Sequence, residues 1–210
     1  MMPEYMVSPD ITEKIIELLE QVPDGEELLD VGCGDGKLLN AVRKDRRTDG
    51  KFSSLCGIDP NPSWENYSKR LLLSEGKAEQ IPFENQRFGI VICQCVFSLC
   101  NMEKASKEFN RVMHPGGFLI LSDLVADEGE EEIEEKSAMG VGKILYPFRI
   151  EKYLNPYFTK VSYENCTDFM RNWFLQGILN GQAFGCLTCS GLNLIKKSGA
   201  GYGLWCWKKT

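Results

Sequence analysis

The sequence predicts an α/β fold, a doubly wound and mostly parallel sheet with helices on both faces. Three observations carry that expectation. The first is Leu28–Leu38, LLDVGCGDGKL, where an apolar strand end bearing one carboxylate, Asp30, meets the loop Gly32-Cys33-Gly34-Asp35-Gly36 and then a helical segment, Lys37 to Lys44. The second is Asp59, which closes another apolar strand, Ser54–Ile58, about 23 residues beyond that loop. The third is the continued alternation of strand-like and helix-like segments up to about residue 125. A strand, a glycine turn and a helix N-terminus together make a pocket for a nucleotide-type ligand. In such a sheet the acid ending the second strand stands beside the first loop, where a carboxylate suits two hydroxyl donors and repels a phosphate.

The elements follow in order. Asp10 with Glu13 reads as a capped helix start, and Ile11, Ile15, Leu18 and Leu19 fall on one helical face. Pro23-Asp24-Gly25 ends that helix. After the two strands and the helix between them, Asn66–Leu73 reads as a second crossover helix and Phe88–Cys93 as the third strand. Met102–Met113 is a further helix, with Ala105, Phe109 and Val112 toward the sheet, and Phe118–Leu121 is the next buried strand. Asp127–Glu135 is an acidic run that reads as solvated, because its like charges are unopposed. Phe148–Leu154 reads as a short helix, Phe158–Cys166 as a strand, Asp168–Leu179 as a helix apolar on more than one face, and Tyr202–Lys208 as a closing strand.

Composition narrows the class. A chain of 210 residues with 43% hydrophobic and 26% charged residues fits one soluble globular domain. A net charge of −6 argues against a nucleic-acid footprint, and the densest basic cluster, Arg43, Lys44, Arg46 and Arg47, reads as the solvated end of a helix. No signal-peptide core and no apolar run of about 18 residues is present, so neither export nor a membrane span is expected. Nine cysteines without an export signal imply reduced thiols and a cytoplasmic protein.

Asp30-Val31-Gly32-Cys33-Gly34-Asp35-Gly36 resembles the first motif of class I S-adenosylmethionine-dependent methyltransferases, D-x-G-x-G-x-G. Gly76-Lys77-Ala78-Glu79-Gln80-Ile81-Pro82-Phe83 resembles the adenine-bordering segment of the ubiquinone- and menaquinone-biosynthesis type, and Glu108–Ser122, EFNRVMHPGGFLILS, resembles its R-V-L-x-P-G-G segment. The matches cover roughly residues 25 to 125 in the family's order. The resemblance implies a Rossmann-like sheet of seven strands whose last strand is antiparallel. It implies S-adenosylmethionine as cofactor, S-adenosylhomocysteine as product, and a small-molecule methyl acceptor. The cofactor-binding residues it implies are Asp30, Gly32, Cys33, Gly34, Gly36, Asp59, Pro60, Ala78, Glu79 and Gln94. Residues 1–25 then form an N-terminal helix, with the stretch around Tyr5 to Ser8 read either as a lid over the cofactor or as a frayed terminus, 26–125 the cofactor core, and 126–210 the substrate side and a cysteine-bearing tail. Two positions depart from the pattern. Lys77 replaces an adenine-contacting Asp, which leaves Ala78 or Glu79 to read the base, and Gly89 replaces the Asp of the F-D-x-V step.

Cysteines are the second informative feature. Cys33 reads as loop packing and Cys56 as a buried strand residue, while Cys93 and Cys95 point to the same side if the strand reaches that far. Cys166, Cys186, Cys189 and Cys206 lie in the tail, where one CxxC is a weak zinc signal; structural thiols, metalloid or thiol handling, and a metal or redox site all stay open. The cofactor region also resembles arsenite methyltransferases, and the Cys95–Leu99 stretch with the tail CxxC resembles a cysteine-bearing branch of methyltransferases from anaerobes.

An activated sulfonium methyl needs alignment and exclusion of water more than a catalytic group, so in-line SN2 transfer calls for no triad and no metal. The single histidine, His114, reads as a surface turn residue. A base, if the acceptor needs one, would come from Tyr146, Tyr163, Asp168 or a thiolate. Two other functions stay in view: a cofactor-binding protein without turnover whose tail serves interaction or redox sensing, and a metal-binding accessory module.

Overall fold

The computed structural model describes residues 9–61, 71–126, 133–137, 140–144, 146–172 and 200–210. The expected lid at Tyr5 to Ser8, most of the acidic run, Cys186 and Cys189 lie outside these residues.

Nine strands and four α-helices are described. Helix α1 (Pro9–Glu20) precedes β1 (Glu27–Val31), α2 (Lys37–Lys44), β2 (Ser54–Asp59) and β3 (Leu72–Glu75). Then come β4 (Phe88–Gln94), a 3-10 turn at Phe97–Leu99, α3 (Met102–Val112) and β5 (Met113–Ala126). The remainder comprises β6 (Ile133–Ser137), β7 (Gly140–Ile144), α4 (Pro147–Leu154), β8 (Phe158–Asn165) and β9 (Ala200–Lys209). Seven strands form one sheet in the order β3-β2-β1-β4-β5-β9-β8, and β6 and β7 pair separately. Strands β1 to β5 pair in parallel, whereas β9 is antiparallel to both β5 and β8. One strand is therefore reversed within an otherwise co-directional sheet.

Side-chain alternation builds two cores. Leu28, Ile90 and Ile92 pack with Ile11, Ile15 and Leu19 of α1 and Leu38, Leu39 and Val42 of α2. Leu29, Val31, Val91 and Cys93 pack on the opposite face with Ala105, Phe109 and Val112 of α3 and Ile150 and Leu154 of α4. A period of two sends neighbouring strand residues to opposite faces, so continuous apolar runs mark strands covered on both sides.

Two expectations change. Leu72 and Leu73, expected to finish a crossover helix, are the start of β3, whose register sets Cys56 opposite Leu72 and Asp59 opposite Glu75. Phe88–Gln94 is consequently the fourth strand. Strand β4 also stops at Gln94, and Cys95 adopts a left-handed φ of 55°. That breaks the alternation, and Cys93 and Cys95 join opposite cores rather than one side.

Candidate functional site

The strand order reverses between β1 and β4, where β1→β2→β3 builds one way and β4→β5 the other. Such a switch point opens a crevice beyond the carboxyl ends of the strands. All ten residues singled out from the sequence stand along that edge, at the ends of β1, β2 and β4 or in the loops that follow β1, β2 and β3.

The loop after β1 is fixed by the backbone of β2, because the Gly32 and Cys33 amides both donate to the Ile58 carbonyl, at 2.8 and 3.0 Å. Gly34 and Gly36 have φ of 51° and 72°, values that side chains with a Cβ rarely adopt. Gly36 is the residue before the first turn of α2, so the turn delivers the chain into the helix N-terminus. Among the described residues nothing lies within 4 Å of where a Gly34 Cβ would stand, whereas a Cβ on Gly32 would run into Val96 Cγ2. Cys33 faces inward: a Cβ at Gly57 of β2 would come within 2.8 Å of its Sγ. Burial, and then the charges of Asp30 and Asp59, push that thiol well up, which makes it a packing group and not a thiolate.

Asp59 ties the second strand to the loop. Its Oδ2 accepts from the Gly34 amide at 2.9 Å and its Oδ1 from the Asn61 amide at 2.8 Å. Each oxygen retains a second lone pair for an incoming hydroxyl. Pro60, which follows, is exposed at the rim. Asp30 is 2% exposed at the end of β1. Burial first, and the Asp59 charge second, push its pKa up to about 7.

The loop after β3 forms the neighbouring wall. Ala78 is buried, and Glu79 Oε1 accepts from the Asn101 amide at the start of α3 at 2.8 Å, so this carboxylate is already partly engaged. Lys77 is exposed. Sequence reading missed the residue that holds this loop, Arg111. Its guanidinium donates to the carbonyls of Ile81 and Phe83, at 2.8 and 2.7 Å, to Asn85 Oδ1, and to both carboxylate oxygens of Glu108. A loop lying far from α3 in sequence gave no local signal for that role.

Gln94, at the end of β4, is 9% exposed, and its Nε2 is buried with no hydrogen-bond partner among the described residues. A buried amide left without an acceptor costs free energy, so an acceptor supplied by a ligand would be favoured there.

Of the other sequence candidates, Tyr146 stacks on Phe148 at 5.6 Å beside Ala126, the last residue of β5. Tyr163 lies on Trp205 in the β8–β9 pair, and Asp168 is exposed. His114 is on the far side of the sheet, where its Nε2 meets Glu26 Oε2 at 2.7 Å. A Cβ at Gly89 would collide with the same Glu26 carboxylate, so the missing side chain at that position makes room for the ion pair. Cys166 and Cys206 are buried and reduced. Among the described residues no group of three or more His, Cys, Asp or Glu could hold a metal ion.

Residues 29–121 match the family model described as a methyltransferase domain. Over that stretch the chain is similar to methyltransferase domains. Its sequence is 23% identical over 166 residues to a malonyl-[acyl-carrier protein] O-methyltransferase of Herminiimonas arsenicoxydans, covering 79% of this chain and 63% of that protein. It is 32% identical over 111 residues to a ubiquinone/menaquinone biosynthesis C-methyltransferase of Laribacter hongkongensis, covering 48% and 43% respectively. The chain thus spans less than two thirds of the length of either relative. Geranyl diphosphate C-methyltransferase from Streptomyces coelicolor superposes with a TM-score of 0.78 at 11% identity, over 96% of this chain and 78% of that one. The fold is therefore the expected doubly wound, mostly parallel sheet of seven strands with an antiparallel last strand, and that strand, β9, lies between β5 and β8. Among the described residues no helix is long and apolar enough to cross a membrane.

Proposed function

We propose that the chain binds S-adenosylmethionine across the β1, β2 and β4 ends and transfers its methyl group to a small-molecule acceptor. The supporting observation is the Asp59–Gly34 hydrogen bond, which sets a buried carboxylate beside an open glycine turn at the switch point. Asp59 would receive the ribose hydroxyls, the Gly32–Gly36 turn and Asp30 would border the amino-acid portion, and Ala78 and Glu79 would line the base. Cys33 and Pro60 would shape the pocket rather than bond to the ligand. Gln94 offers a free amide toward a carboxylate. When bound, the cofactor supplies an activated methyl; the chain binds, orients and excludes water.

A small-molecule acceptor is supported by the relative whose name places it in ubiquinone/menaquinone biosynthesis, and the other relative named above is, by its name, a methyltransferase of a malonyl group carried on a protein. The net charge of −6 gives no electrostatic footprint for nucleic acid.

Isothermal titration with S-adenosylmethionine and S-adenosylhomocysteine tests the reading. Micromolar binding of both is expected, weakened by roughly 1–3 kcal/mol in Asp59→Ala through loss of charge-assisted hydrogen bonds. Absence of binding by the folded wild type overturns the reading.

A further inference from the structure

A second cluster lies immediately behind the pocket wall. Cys95 Sγ stands 3.0 Å from the Tyr202 hydroxyl, which in turn donates to Ser122 Oγ at 3.0 Å. The Cys95 amide donates to the Ser122 carbonyl at 2.8 Å. All three residues are buried, Tyr202 to 1% exposure. One position further along β5, Asp123 accepts from both the amide and the hydroxyl of Ser98, each at 2.8 Å. The stretch from Gln94 to Leu99 is therefore fastened from β5 at two points and from β9 at one.

The fastening matters because of what this stretch carries. Cys95 sits in a left-handed conformation that a residue with a Cβ adopts only when its surroundings impose it. The residue before it is Gln94, with its orphaned buried amide, and the residue after it is Val96, whose side chain lies directly against Gly32. Relaxing Cys95 to ordinary backbone angles would rotate both neighbours relative to the glycine turn. The thiol itself is no nucleophile here, since burial pushes it up to about 12.

We propose that Cys95, Tyr202 and Ser122 form a positioning relay that holds Gln94 and Val96 against the glycine turn and so tunes the amino-acid half of the cofactor pocket. The inference rests on the cofactor reading above. Residues on the base and ribose side, Asp59 and Ala78, are held by separate contacts to Gly34, Asn61 and the core around Ile58 and Ile81, so the nucleoside half does not depend on the relay.

The test compares two ligands, S-adenosylhomocysteine and 5′-methylthioadenosine, which shares its nucleoside but lacks the amino acid. Tyr202→Phe and Ser122→Ala each should weaken S-adenosylhomocysteine about tenfold while 5′-methylthioadenosine changes less than about threefold. Cys95→Ser, which retains a hydrogen-bonding group, should restore affinity relative to Cys95→Ala. Equal losses for both ligands, or no loss for either, overturn the relay. A second readout needs no ligand: the Cys95 amide, bonded to the Ser122 carbonyl, should exchange its hydrogen faster in Tyr202→Phe than in the wild type, as mapped by peptide mass spectrometry. If the wild type binds neither ligand, the cofactor reading fails and the tuning role fails with it, whereas unchanged exchange at Cys95 in Tyr202→Phe overturns the fastening itself.

Discussion

Asp30 illustrates how a single residue at this edge links protonation to stability. Its folded pKa, raised by burial from 3.8 to about 7, lies above its unfolded value, so the unfolded chain gives up the proton first as pH rises. Stability from this group is therefore greatest below pH 3.8 and declines through the interval up to about pH 7, by as much as about 4 kcal/mol. Asp123 is raised to about 6, chiefly by burial, and acts in the same direction over a narrower interval. Asp30→Asn should accordingly unfold at higher urea than the wild type at pH 8, with the advantage shrinking toward pH 4. His114 has the opposite chemistry. The Glu26 hydrogen bond raises its pKa above 6.5, so its contribution is fully present below pH 6.5 and is lost as pH rises through the raised value. A side chain one-third exposed is screened, which keeps the gain to about 0.5 kcal/mol. As the only histidine, it gives an unambiguous NMR titration, and Glu26→Gln should move that titration downward.

At the level of elements, the loop between β3 and β4 depends on a helix that follows it. Arg111 reaches from α3 to two carbonyls of that loop, and Glu108 Oε2 accepts from the Ile81 amide at 2.7 Å. Arg111→Ala should cost about 2 kcal/mol in chemical denaturation, since partly buried carbonyls lose a charged donor. It should also raise hydrogen exchange at Ile81 and Phe83 before any global change. Local motifs made the glycine turn and Asp59 legible because their chemistry is confined to a few consecutive residues. Strand β3 was not legible: it has four residues, none of them buried, and so no alternating pattern. The opposite placement of Cys93 and Cys95 follows from one backbone angle, and the Cys95–Tyr202 contact joins residues 107 apart. Neither leaves a periodic trace in the sequence.

Across the whole molecule, β9 is the keystone of one half of the sheet. It pairs with β5 from Phe118↔Lys208 to Ala126↔Ala200 and with β8 from Phe158↔Lys209 to Asn165↔Gly203. Trp205 and Trp207 are fully buried in the core shared with α3 and α4. Of these two, Trp205 has a partner for its indole N–H, Glu151 Oε1 at 3.1 Å, whereas that of Trp207 is buried without one among the described residues. Trp205→Phe should therefore destabilise more than Trp207→Phe, by about 1 kcal/mol, because the second change also removes an unsatisfied donor. Paired thermal melts of the two variants check the ordering.

The reversed strand also dictates when the molecule can be completed. Strands β5 and β8 cannot meet directly, and the strand that joins them is encoded after both. During synthesis on the ribosome, β1 to β5 can assemble early, yet β5 then presents an open edge until residues 200–209 emerge and insert. An unpaired apolar edge invites pairing with other chains. The nascent protein is thus most exposed to aggregation over the interval in which residues 127–199 are being made, and a chaperone would be needed most in that window.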